Sequence, residues 1–151
     1  MPHPTPAPDL ARARRTLLDL LAIPGVSGEE KAVAGQIVKT LRAAGCPAKA
    51  ITFDKAHTKT PLEGNCGNLI VKLPGTFKGP RRLLMAHMDT VPVCRGAKPV
   101  VKGRFVESSD PATGLGGDDR AGVGVVLTTA LEILRQKLPH PPLTLFFAIQ
   151  E

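Results

Sequence analysis

The chain has 151 residues, 42% of them hydrophobic and 22% charged, which gives one domain with a real core and excludes a disordered tail. Five Phe, no Trp and no Tyr leave Leu, Val, Ile and Ala to build that core. The net charge of +7 raises nucleic acid as a partner, but the Lys and Arg residues are dispersed and no aromatics interleave with them for base stacking, so that partner class is set aside.

Residues 1–8 form a proline-rich N-terminal arm with no apolar stretch of the kind a signal peptide carries. No run is long enough to span a membrane, so a soluble protein without a membrane partner is expected. From Asp9 to Leu21 the pattern is helical, with Leu10, Leu17, Leu18 and Leu21 on one face and Pro24-Gly25 as the stop. Ser27-Gly28-Glu29-Glu30 then reads as a capping box, Ser27 the N-cap and Glu30 reaching back. The helix it opens presents Val33, Ile37, Val38 and Leu41, and Gly45 ends it.

Beyond residue 50 the period changes to that of strands. Ala50–Phe53 and Asn68–Leu73 are strands, the second closed by Pro74-Gly75, and Arg82–Ala86 is expected to be a buried central strand. Val100–Val106 alternates around Gly103 as a hairpin would. Arg120–Leu138 is the clearest helix, with Val123, Val126, Leu127, Ala130, Leu131, Leu134 and Leu138 at three- and four-residue steps and Pro139 beyond. Leu143–Ile149 is a core strand, expected to present an unpaired apolar edge and hence an aggregation hazard. This order predicts an α/β fold: a layered domain with a central, mostly parallel (mixed) sheet flanked by helices.

Cys46, Cys66 and Cys94 lie far apart and are odd in number, which argues against a disulfide framework and for a reducing cytoplasm. Cys46 and Cys66 read as small buried residues. Cys94 follows the main motif closely but has no recognisable partner histidine.

His87 directly follows the apolar strand ending at Ala86, where side chains enter the crevice in which α/β folds bind ligands. Asp89, two residues on, shares its side if the strand continues, so an imidazole could bind a metal with one nitrogen and donate to the carboxylate with the other. Asp118 and Asp119 open the strong helix from a glycine-rich turn, Gly114–Gly117. One acid there could be a cap; two concentrate charge that a cation would neutralise. The same pair would repel a pyrophosphate, and the glycine spacing is that of neither phosphate-loop motif. If the last strand runs parallel to the one before His87, Glu151 brings a carboxylate to the same edge of the sheet, suited to a general base; the alternative is a solvated end residue.

Together, Met85-Ala86-His87-Met88-Asp89-Thr90-Val91-Pro92, the turn Gly116-Gly117-Asp118-Asp119-Arg120-Ala121-Gly122 and the closing Phe147-Ala148-Ile149-Gln150-Glu151 resemble the peptidase T branch of a zinc metallopeptidase family. The wider family includes aminoacylase, acetylornithine deacetylase and succinyl-diaminopimelate desuccinylase. The resemblance extends back to Pro24–Glu30. It implies two zinc ions in the complete enzyme, His87 ligating one and Asp118 bridging both, with a cis peptide between Asp118 and Asp119. Asp89 would orient His87, and Glu151 would be the general base that takes a proton from water.

Arg120 stands where relatives more often have lysine, and little change is expected from it. The second glutamate of the family pair and the remaining ligands would lie beyond residue 151. So would a smaller lid or dimerisation domain, through which a homodimer would form. Residues 9–151 are thus expected to be the N-terminal portion of a catalytic domain, inactive alone. The substrate implied is a short peptide, as for an aminotripeptidase. A deacylase or carboxypeptidase of the same family acting on N-acyl amino acids is the alternative, and a non-catalytic interaction module retaining the fold is another.

Overall fold

A computed structural model describes residues 6–151. Residues 1–5 of the proline-rich arm lie outside the described residues, and Pro6, Ala7 and Pro8 are exposed and irregular.

Helix α1 (Leu10–Ala22) starts on Asp9, whose carboxylate accepts the Arg12 N–H at 2.9 Å. Leu20 and Leu21 are its buried residues, whereas Leu10 is 73% exposed. Periodicity had placed Leu10 on the inner face, but the first turn of the helix leaves it in solvent. Helix α2 (Lys31–Ala43) buries Val33, Ala34, Ile37 and Leu41. It ends as Gly45 dictates: that residue has φ 92°, its N–H reaches Arg42 O, and Cys46 N–H reaches Leu41 O.

The capping box does not form as expected. Glu30 does fold back, but onto the N–H of Gly28 (2.9 Å), and Asn65 Oδ1 accepts the Lys31 N–H at 3.0 Å. Ser27 Oγ is engaged elsewhere, as described below.

Strands β1 (Ile51–Phe53), β2 (Leu69–Leu73), β3 (Arg82–His87) and β6 (Leu143–Ala148) form one mixed sheet in the order β1-β2-β6-β3. A separate hairpin pairs β4 (Pro99–Lys102) with β5 (Phe105–Ser108), turning at Gly103 as read from the sequence. Helix α3 spans Gly117–Gln136. The layered α/β arrangement with a mixed sheet holds, and within it parallel pairing is confined to β3 and β6; β1 with β2 and β2 with β6 are antiparallel.

Two strand assignments change place. β6 is, with β2, an inner strand paired on both sides, so Leu143–Ala148 has no open edge. β3 is paired only to β6 among the described residues, and Leu83 and Met85 on it are 60% and 63% exposed. A short apolar run reads alike whether one face or both are covered, so composition alone misplaced it.

One face of the sheet builds the core. Leu69, Val71 and Leu73 of β2 stand opposite Phe147, Leu145 and Leu143 of β6, all buried, and share one cluster with the inner faces of α2 and α3. α1 packs on α3 at the buried Gly124, where Leu17 Cδ1 would meet an added Cβ at 3.4 Å. The parallel pairing fixes the site: with His87 opposite Ala148, the residues after β3 and after β6 emerge side by side at one end of the sheet.

Candidate active site

At that end lies a cleft of about 220 Å³ lined by Ser27, His87, Asp89, Cys94, Asp118 and Glu151, among others. Cys94 is therefore a wall residue, half-buried with a free thiol.

His87 is held at the last position of β3. Its Nδ1 stands 3.3 Å from Asp89 Oδ1 and its Nε2 stands 3.1 Å from Asp118 Oδ1. Burial disfavours the imidazolium, but the hydrogen bond with Asp118 and the charge of Asp89 outweigh it, so the His87 pKa lies above 6.5. Asp89 is 4% exposed and fully engaged. Ser27 Oγ donates to its Oδ2 at 2.5 Å, and the backbone N–H of Glu151 donates to its Oδ1 at 3.2 Å. Ser27 is thus a residue that sequence reasoning assigned to a helix cap and that the fold spends on the site.

The adjacent aspartates separate into two tasks. Asp119 Oδ1 accepts the Gly122 N–H at 3.0 Å, which caps the regular part of α3; Asp118 and Asp119 themselves have non-helical backbone. Asp118 keeps its side chain 97% exposed and turned to His87. The peptide bond between them is cis, as the resemblance implied. Gly116 precedes them with φ 76°, and a Cβ there would meet Thr90 Cγ2 at 2.9 Å, so the turn needs glycine on two counts.

Arg120 is structural in a way the sequence did not reveal. It is 1% exposed, and its guanidinium donates to Leu20 O (2.9 Å) and Gly25 O (3.1 Å), tying the end of α1 to the loop before α2. Burial pushes its pKa down to about 10, while the charges of Asp89, Cys94 and Glu30 pull the other way. Gly25 permits this contact, since a Cβ there would lie 2.8 Å from Arg120 Nη2. Thr90 N–H also donates to Gly25 O at 3.0 Å, so the loop is fixed beside the His87–Thr90 segment.

The chemistry of the donors fits a transition metal in part. Two ligands of one tetrahedral zinc, each about 2.0–2.1 Å from it, stand roughly 3.3 Å apart. His87 Nε2 and Asp118 Oδ1 stand 3.1 Å apart, with a carboxylate behind the imidazole to fix its tautomer. A zinc site needs about four ligands, or three and a water. Among the described residues no group of three His, Cys, Asp or Glu side chains converges as a metal cluster.

No family model matches the chain. Over 85 residues it is 33% identical to the uncharacterized protein YqjE of Bacillus subtilis (strain 168), covering 56% of this chain and 23% of that protein. Among solved structures it is similar to a tripeptidase from Staphylococcus aureus subsp. aureus mu50 (TM-score 0.82, 27% identity, 94% of this chain and 37% of that one). It is also similar to the aminopeptidase PepT of Bacillus cereus ATCC 10987 (TM-score 0.83, 24% identity, 94% and 37%). A third is the YXEP protein of Bacillus subtilis, a dinuclear metal binding peptidase of the M20 family (TM-score 0.60, 16% identity, 93% and 35%). The fold is that of M20 peptidases, and the chain spans little more than a third of the length of these structures. No described helix is long and apolar enough to cross a membrane.

Proposed function

We propose that this chain is the N-terminal portion of the catalytic domain of a dinuclear zinc peptidase that cleaves short peptides, as an aminotripeptidase does. The observation that carries the reading is the His87–Asp118 pair at 3.1 Å, backed by Asp89 on the other ring nitrogen. His87 and Asp118 would hold metal, Asp118 as the bridge between two ions. Asp89 keeps His87 in the tautomer that leaves Nε2 free to ligate, because its carboxylate accepts from Nδ1. Zinc bound there would acidify a water and polarise the scissile carbonyl.

Glu151 would be the general base: its backbone is anchored on Asp89, and its side chain is exposed at the cleft. It would take the proton from water and return it to the leaving amine, so that hydrolysis needs no covalent intermediate. The chain holds two of the expected ligands, so the 151 residues alone would turn over no peptide and would bind zinc weakly. Three cysteines without a disulfide are consistent with work in a reducing cytoplasm.

The test is hydrolysis of tripeptides and of N-acyl amino acids by the zinc-loaded protein at its full length, beside His87→Ala. Tripeptide cleavage that disappears in His87→Ala together with bound zinc is the expected result. Cleavage of N-acyl amino acids alone would make the protein a deacylase, and undiminished zinc binding in His87→Ala would sink the site assignment.

A further inference from the structure

Beyond β6 the backbone turns sharply, and Gln150 adopts φ 53°, a left-handed conformation that residues other than glycine rarely take. Three successive amides hold that turn to side-chain oxygens: Ile149 N–H on Asn68 Oδ1 (3.0 Å), Gln150 N–H on Glu30 Oε1 (3.0 Å) and Glu151 N–H on Asp89 Oδ1 (3.2 Å). Of the three acceptors, Glu30 grips the left-handed residue itself. It comes from the start of α2, is 0% exposed, and also receives the Gly28 N–H at 2.9 Å.

A buried carboxylate is costly unless its bonds need it. Capping α2 does not explain this one, since Asn65 takes the Lys31 N–H and Gln150 belongs to the other end of the chain. Through Gly28 the same side chain fixes the loop that carries Ser27, and Ser27 donates to Asp89. Asp89, which bonds His87, and Glu151, which lines the cleft, are therefore both referenced to one buried side chain.

We propose that Glu30 is a positioning residue that sets where Glu151 stands in the cleft, by accepting the Gln150 and Gly28 amides at a single oxygen. The inference rests on the reading of Glu151 as the base. Glu30 touches no reacting atom; it acts through the backbone on either side of the site.

The experiment compares Glu30→Gln, which keeps an oxygen acceptor, with Glu30→Met, which has similar length and none. In the zinc-loaded, full-length protein, Glu30→Met is expected to lower kcat about 10²-fold, the loss that a displacement of roughly 1 Å brings. KM and bound zinc should stay within about twofold, and Glu30→Gln should keep kcat within about threefold. Hydrogen exchange at the Gln150 amide should speed up at least about tenfold in Glu30→Met and not in Glu30→Gln.

Wild-type kcat in Glu30→Met, equal losses in both variants, or an unchanged Gln150 exchange rate would overturn the proposal. Exchange reads the clamp without turnover, so a protein that hydrolyses no peptide would refute the peptidase reading while the clamp is still judged. Should Glu30→Met not fold, Glu30→Asp, which withdraws the acceptor by one methylene, is expected to give the same kcat and exchange changes.

Discussion

At the scale of single residues, the site depends on which polar group claims which partner. His87 and Asp118 were legible because each closes a short local motif at the end of an element, where side chains enter the crevice. Spacing alone left Asp118 and Asp119 equivalent and the resemblance singled out Asp118; in the fold Asp119 takes the Gly122 N–H while Asp118 faces the His87 ring. Ser27 was misread for a related reason. A helix N-terminus and a buried carboxylate 62 positions away compete for one hydroxyl, and Asp89 wins at 2.5 Å. The charge-assisted bond is the stronger of the two. On the zinc site proposed above, Ser27→Ala should therefore act on metal binding rather than on α2. Asp89 loses its Oδ2 partner and holds His87 less firmly, so we expect zinc affinity to fall about 10–100-fold. Chelator competition on the full-length protein measures this, and an affinity within about twofold of wild type would show that Ser27 does not support the ligand.

Elements were read well where periodicity is local and poorly where a side chain leaves its own element. The apolar faces of α2 and α3 and the positions of all four sheet strands follow from spacing, whereas the burial of Arg120 does not. A cation in the first turn of a helix reads as solvated. Here it crosses to α1 and joins Leu20 O and Gly25 O, beside the Thr90 N–H that also reaches Gly25 O. Its neighbours Asp89 and Glu30 are both buried, so the guanidinium also offsets their charge. Arg120→Met keeps the volume and removes both roles. We expect it to destabilise the fold by about 3 kcal/mol, the usual cost of breaking a buried hydrogen-bonded charge. Urea unfolding checks the value, and a loss under about 1 kcal/mol would mean that water replaces the guanidinium at both carbonyls.

For the molecule as a whole, the sheet has one face in the core and two edge strands, the three-residue β1 and the six-residue β3. Leu69, Val71, Leu143, Leu145 and Phe147 point into the common core, while Leu83 and Met85 of β3 lie on the other side and remain exposed. β3 also has backbone groups on its outer side that no described strand pairs with. An edge of this kind, apolar and without a charge along Leu83–Ala86, templates pairing with another chain. The sequence located the hazard on the wrong strand, because strand order is set by contacts distant along the chain and β6 finds partners on both sides. The 151-residue chain should therefore self-associate with rising concentration, through β3 rather than β6. Met85→Lys places a charge on the exposed face without entering the core, as natural edge strands do. It should shift the chain toward monomer in sedimentation velocity, while Thr144→Lys, on the inner strand β6, paired on both sides, should not relieve association. If Met85→Lys leaves the distribution unchanged, the β3 edge is not the contact, and its apolar residues do not govern how these chains meet.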